Sequence, residues 1–126
     1  MRAVDTNVLV RLIVRDDADQ VARAEAFVAQ GAWVSLPVLV EAVWVLKSVH
    51  GLSRRRIGTV LDMLVEHDRL TLQDEDAVRR ACALFARERS AGFSDCLIVE
   101  VARKAGHVPV GTFDKSMARL EGTHGL

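Results

Sequence analysis

The chain has no excess of charge of either sign: 17 Lys and Arg stand against 17 Asp and Glu. A module that holds nucleic acid by neutralising phosphates alone carries a basic surplus. A nucleic-acid partner of this chain therefore needs local basic patches or bound cations. There are only two cysteines, Cys82 and Cys96, without metal-ligand or redox spacing, which reads as buried thiols in a reducing compartment. No apolar run reaches the length of a membrane span. The N-terminus lacks the basic region, apolar block and cleavage site of a secretory signal. The expectation is a cytoplasmic protein with no membrane association. Also missing are a Gly-rich phosphate loop, a nucleophile elbow, paired histidines, internal repeats and linkers.

What is present is 126 residues, half of them hydrophobic, enough for one domain over residues 1–126 with a genuine core. Met1–Val4 reads as a strand and Val8–Val14 as a short helix. Apolar spacing at Val21, Ala24, Phe27 and Val28 gives a helix over Ala18–Gln30, stopped by Gly31. Ala32–Ser35 is a second strand, and Ser35-Leu36-Pro37 starts a helix to about His50. Ser53 caps a helix over Arg54–Asp68, followed by a strand at Leu70–Leu72. Asp74 opens a helix to about Ser90, and Ser94 caps another that ends at Gly106. His107–Val110 is a strand, and a last helix covers Asp114–Leu120. Strands alternating with helices predict an α/β fold, a three-layer α/β/α sandwich with a mainly parallel sheet of four or five strands. Such sheets place ligands at the carboxyl ends of their strands.

Four acids share that edge in the linear pattern. Asp5 and Asp114 directly follow strands, whereas Glu41 and Asp95 lie near helix starts. Asp5, Asp95 and Asp114 each have an ordinary alternative as helix caps or first-turn acids. Glu41 sits in PVLVEAVWVL, with no Lys or Arg three or four positions away, so its charge needs compensation from elsewhere. Carboxylates gathered without basic partners repel, and a divalent cation removes the conflict. Hard oxygen ligands suit Mg²⁺ or Mn²⁺, which lowers the pKa of a water and offsets charge on a phosphodiester. A haloacid-dehalogenase-type phosphatase also places Asp after its first strand, but requires a second Asp two residues on; here that residue is Asn7.

DTNVLVRL, Glu41 within VLVEAVWVL, FSDCLIVEVARKAG and GTFDKS together resemble the PIN-domain ribonucleases, nearest the VapC-like toxins of type II toxin–antitoxin pairs, over residues 1 to about 120. The resemblance implies a site of Asp5, Glu41, Asp95 and Asp114 with Asn7 and Thr112 as orienting polar residues. Thr6 matches the small hydroxyl residue usual there, with turn geometry as its simplest role. It further implies Mg²⁺- or Mn²⁺-dependent endoribonuclease cleavage of RNA, a homodimer and a small cognate antitoxin. The tail EGTHGL lacks the apolar strand that often follows, which puts a fifth strand in doubt. The alternatives are a non-catalytic PIN-like module that binds RNA or protein, and a DNA-directed nuclease or phosphatase with a similar acid cluster.

Two features lie beside the acids. The helix from Pro37 is apolar on nearly every face, which implies burial on more than one side, as a core helix or a dimer contact. Arg54, Arg55 and Arg56 place cations at a helix N-terminus against its dipole, a possible contact for RNA phosphate or an acidic antitoxin segment. Arg11 and Arg15 form a second such patch nearer Asp5.

Overall fold

The computed structural model describes all 126 residues as two compact units, Met1–Gln73 and Asp74–Leu126. In the first unit the order is β1 (Arg2–Ala3), α1 (Thr6–Val14), α2 (Ala18–Val28), β2 (Ala32–Val34), α3 (Leu36–Ser48), α4 (Arg54–Glu66) and β3 (Leu70–Leu72). Each helix start has a local cause. Asp17 accepts from Gln20 N at 3.1 Å, Ser35 Oγ from Val38 N at 3.3 Å, and Ser53 Oγ from Arg56 N at 3.2 Å, so three orphan donors find side-chain oxygens. Pro37 occupies the first turn of α3, where its missing N–H costs nothing.

The three strands form one parallel sheet in the order β1-β2-β3, with Ala3 opposite Trp33 and Val34 opposite Leu72. Parallel pairing forces a crossover between successive strands, and the helices supply it. Leu9, Val34, Leu39, Leu46 and Leu61 are almost wholly enclosed and make the core of this unit.

Of the two readings of the α3 sequence, the structure removes the core helix covered on every side and is compatible with the dimer contact. It buries a single stripe, Leu39, Ala42 and Leu46, spaced three and four apart. Trp44 is 62% exposed, and Val49 beyond the helix end is 66% exposed. The helix is apolar all round in sequence, but only this stripe is fully covered, with Val38, Val40, Val43 and Val45 half-buried beside it.

The second unit contains α5 (Glu75–Arg87), α6 (Phe93–Ala105), β4 (Val110–Thr112), a 3₁₀ turn (Met117–Arg119) and β5 (Thr123–Gly125). α5 packs along α6; Val78, Ala81, Cys96 and Val99 on these helices are fully enclosed, and Phe85 is edge-on to Phe93 at 6.1 Å. Neither cysteine is in a disulfide; Cys96 is buried and Cys82 half-buried. Asp74 precedes α5 but caps nothing with its carboxylate; it and Asp76 both pair with Lys104 Nζ at 2.7 Å.

Four local readings change here. α6 begins at Phe93 with Gly92, not Ser94, at the cap position. β4 starts only at Val110, because Pro109 has no N–H to give a ladder, while His107 N still closes the end of α6 on Ala102 O at 2.9 Å. The expected helix over Asp114–Leu120 reduces to the 3₁₀ turn. The Asp114 carboxylate caps this turn through Ser116 N and Met117 N, but the bonds that follow, Arg119 N to Ser116 O and Leu120 N to Met117 O, span three residues, and the backbone is extended at Leu120. The fifth strand, doubtful in sequence, is present: β5 runs parallel to β4 with Thr112 opposite Gly125. Its ladder uses backbone groups, so the poverty of apolar side chains in EGTHGL does not prevent it. Gly122 lets the chain enter that strand with φ +92°, and a Cβ there would lie 2.6 Å from the Arg103 guanidinium. Thus all five strands pair in parallel, as a three-stranded and a two-stranded sheet. No helix is long and apolar enough to cross a membrane.

Candidate metal centre

In the first unit the chain leaves β1, and Val4 N donates to Trp33 O at 3.1 Å. It then turns immediately into α1. Asp5 occupies the cap position, and its Oδ1 accepts from Val8 N at 3.4 Å, a long bond that leaves the carboxylate exposed. Its ordinary role as a cap is therefore real, and it does not consume the second oxygen. Thr6 is buried, and its hydroxyl donates to Glu41 Oε2 at 3.0 Å. That bond ties the start of α1 to the second turn of α3.

Glu41 itself is exposed. The compensation that its apolar neighbours call for comes from solvent exposure and from Thr6. The desolvation cost inferred from PVLVEAVWVL is correspondingly smaller, because the carboxylate lies off the buried stripe of Leu39, Ala42 and Leu46. Thr6, for which the sequence offered turn geometry as the simplest role, instead makes this contact to Glu41. Its alternation with Asp5 was the only available signal: the acid faces out and the hydroxyl faces in. Thr6→Val keeps the shape and removes the donor. Loss of a partner that orients a metal ligand costs about 10–100-fold in affinity or activity, and Mn²⁺ titration calorimetry of Thr6→Val should show a weakening in that range.

Asn7 is exposed and lines a cleft of about 390 Å³ between α1 and α2 with Arg11, Gln20, Arg23 and Phe27. Arg11 pairs with Asp16 at 2.8 Å and also bonds Gln20; Arg15 pairs with Glu25 at 2.6 Å. These two cations are partly occupied within the unit. Arg55 and Arg56 are exposed on the first turn of α4, and Arg54 is half-buried.

In the second unit Asp95 lies half-buried in the first turn of α6, between the buried Phe93 and Cys96. Burial pushes its pKa up, and the negative charge of Asp114 pushes it further in the same direction, against a backbone hydrogen bond involving Gly92. Asp114 follows β4. Its Oδ1 accepts from Ser116 Oγ at 2.6 Å, Ser116 N at 2.8 Å and Met117 N at 3.1 Å. The Ser116 hydroxyl, then the two backbone donors, hold its pKa below the usual carboxylate range. Thr112 Oγ1 accepts from Asp114 N at 3.0 Å, so Thr112 shapes the Asp114 turn rather than touching the carboxylate.

Folding lowers the Asp114 pKa, so its charge stabilises the fold above the unfolded value, and that contribution disappears as pH falls through the folded value. Asp114→Asn should therefore melt lower than the parent at pH 7, and the two melting curves should converge as pH falls through the folded value.

The donors fit a hard divalent cation. They are carboxylate oxygens, Asp5 and Glu41 in one unit and Asp95 and Asp114 in the other, and the charge of Asp114 acting on Asp95 is what a cation would relieve. Neither unit by itself gathers three or more His, Cys, Asp or Glu side chains into a group able to hold a metal ion. Within units, the structure joins Thr6 to Glu41 and Asp95 to Asp114.

No curated protein and no solved structure is a significant match to the chain. A family model does match: the PIN domain, over residues 2–122. With nearly its whole length matched, and with parallel strands joined by helices as that fold requires, the chain belongs to the PIN domain family, whose members are generally nucleases that typically use divalent metals.

Proposed function

We propose that the protein is a metal-dependent endoribonuclease, with Asp5, Glu41, Asp95 and Asp114 as the ligands of Mg²⁺ or Mn²⁺. The observation that carries this reading is the Asp95–Asp114 pair. The half-buried Asp95 carboxylate is costly to ionise, first through burial and then through the charge of Asp114, and no basic group offsets it. A fold selected for stability alone has no use for that arrangement.

When bound, the ion supplies a lowered pKa for water and positive charge at the scissile phosphate. The chain's own residues hold the carboxylates ready. Thr6 fixes one oxygen of Glu41, Ser116 and the Met117 amide fix one oxygen of Asp114, and the start of α6 presents Asp95. The same cation would let a chain of zero net charge approach RNA.

The finer reading is a VapC-like toxin in the cytoplasm, acting as a homodimer and silenced by a small antitoxin. Its support is the order of the four motifs in a chain of this size. The exposed apolar side of α3, with Trp44 in water, supports a second protein surface there. Purified protein incubated with structured RNA should cleave it in Mg²⁺ or Mn²⁺ and stop on adding chelator. Cleavage that persists in chelator removes the metal mechanism. A short antitoxin reading frame beside the gene tests the biological role.

A further inference from the structure

The large apolar side chain most open to solvent is Phe113, 84% exposed, directly before Asp114. Burying a phenyl ring is favourable, yet the fold leaves this one in water on a fixed turn. Thr112 accepts from the Asp114 amide, the Asp114 carboxylate holds Ser116 and Met117, and Met117 is anchored in the core. The ring is thus displayed from an ordered backbone. On one side in sequence lies Thr112; on the other lie the acid of the Asp95–Asp114 pair and then exposed Lys115.

We propose that Phe113 is a stacking platform for one unpaired base of the RNA substrate next to the scissile phosphate. The proposal rests on the nuclease reading above and names its substrate class: single-stranded or looped RNA. Phe113-Asp114-Lys115 offers three complementary groups on one turn. The ring suits a base face, the carboxylate a cation, and the ammonium a phosphate. A base inside a duplex has both faces covered and cannot use the ring, whereas a splayed base can. Stacking is tolerant of base identity, so the platform selects for unpaired structure more than for sequence.

A protein contact is the competing occupant, since Leu126, 70% exposed, follows β5 as Phe113 follows β4. The polar neighbours of Phe113 disfavour it. Trp44 differs in this respect: although one turn from Glu41, it stands among Val40, Val43 and Val45, a setting that suits a protein surface.

The test compares the parent with Phe113→Leu, which keeps an apolar side chain without a ring, and Phe113→Trp, which keeps the ring. A single-stranded oligoribonucleotide containing 2-aminopurine is titrated in Ca²⁺, and steady-state cleavage is measured in Mn²⁺ on single-stranded and duplex RNA. Base stacking on the ring predicts quenched 2-aminopurine fluorescence in the parent and Phe113→Trp, lost in Phe113→Leu. KM for single-stranded RNA should rise about 5- to 100-fold in Phe113→Leu, with kcat little changed. An unchanged KM and unchanged quenching in Phe113→Leu overturn the proposal, as does a change in sedimentation mass without a change in KM. If the parent cuts no RNA, the nuclease reading fails, and the fluorescence titration still decides whether the ring stacks on a base.

Discussion

Asp95→Asn should abolish metal-dependent RNA cleavage while leaving the metal-free protein at least as stable as its parent. The two halves of this expectation have one cause. Burial and the charge of Asp114 raise the Asp95 pKa, so the ionised form is held in the fold at a cost. With the folded pKa above the unfolded one, this cost is absent at low pH and sets in as pH rises through the two values. A neutral Asn of the same shape avoids it at pH 7, offset in part by the lost attraction between a first-turn acid and the helix N-terminus. A ligand that binds only the folded protein adds about 2.7 kcal/mol at a concentration 100 times its Kd. The parent should gain that thermal stability in Mn²⁺, and Asp95→Asn should gain little of it. Loss of outer partners of a metal ligand already costs about 10–100-fold, so loss of the ligand itself should lower cleavage by more than about a hundredfold. Parallel thermal melts with and without Mn²⁺, set beside cleavage rates, check both halves. An Asp95→Asn variant that cuts RNA at the parent rate ends the metal-site reading.

The largest stability effect should come from Leu46→Ala. Leu46 is fully enclosed, on the same stripe of α3 as Leu39 and Ala42, and its carbonyl accepts from Leu52 N at 3.0 Å where the chain leaves the helix. Truncating such a leucine costs about 2–5 kcal/mol through lost contacts and the cavity left behind. That is a large share of the roughly 5–15 kcal/mol by which domains are stable. Met63→Ala on α4 is the matched control, because Met63 is 62% exposed and surface changes fall within about 0.5 kcal/mol. Urea unfolding should separate the two. Since α3 also carries Glu41, surviving folded Leu46→Ala should bind Mn²⁺ less tightly even though residue 46 touches no ligand group.

The elements of the first unit were legible because local chemistry specifies them. Ser35 and Ser53 announce their helices as caps, Pro37 marks a first turn, and Leu70–Leu72 alternates as a strand should. The second unit was harder to read. GTFDKSMARL has the residues of a helix and Asp114 caps its first turn, yet the chain tightens to a 3₁₀ turn and becomes extended at Leu120. EGTHGL has no apolar signal, and its strand exists because a neighbouring strand offers a ladder. Likewise the α3 sequence is apolar all round, and nothing in it says which stripe the other helices cover.

The sequence by itself determined the alternation of strands and helices, the position of each acid after a strand or at a helix start, and membership of the PIN family. Those follow from periodicity, capping and motif order, which act over a few residues. Only the tertiary structure decided that Thr6 holds Glu41, that Glu41 meets water, that Asp95 and Asp114 feel each other, and that Phe113 stands in solvent. Each of these depends on which distant segments approach and how much water they exclude, and neither quantity is written in the linear order.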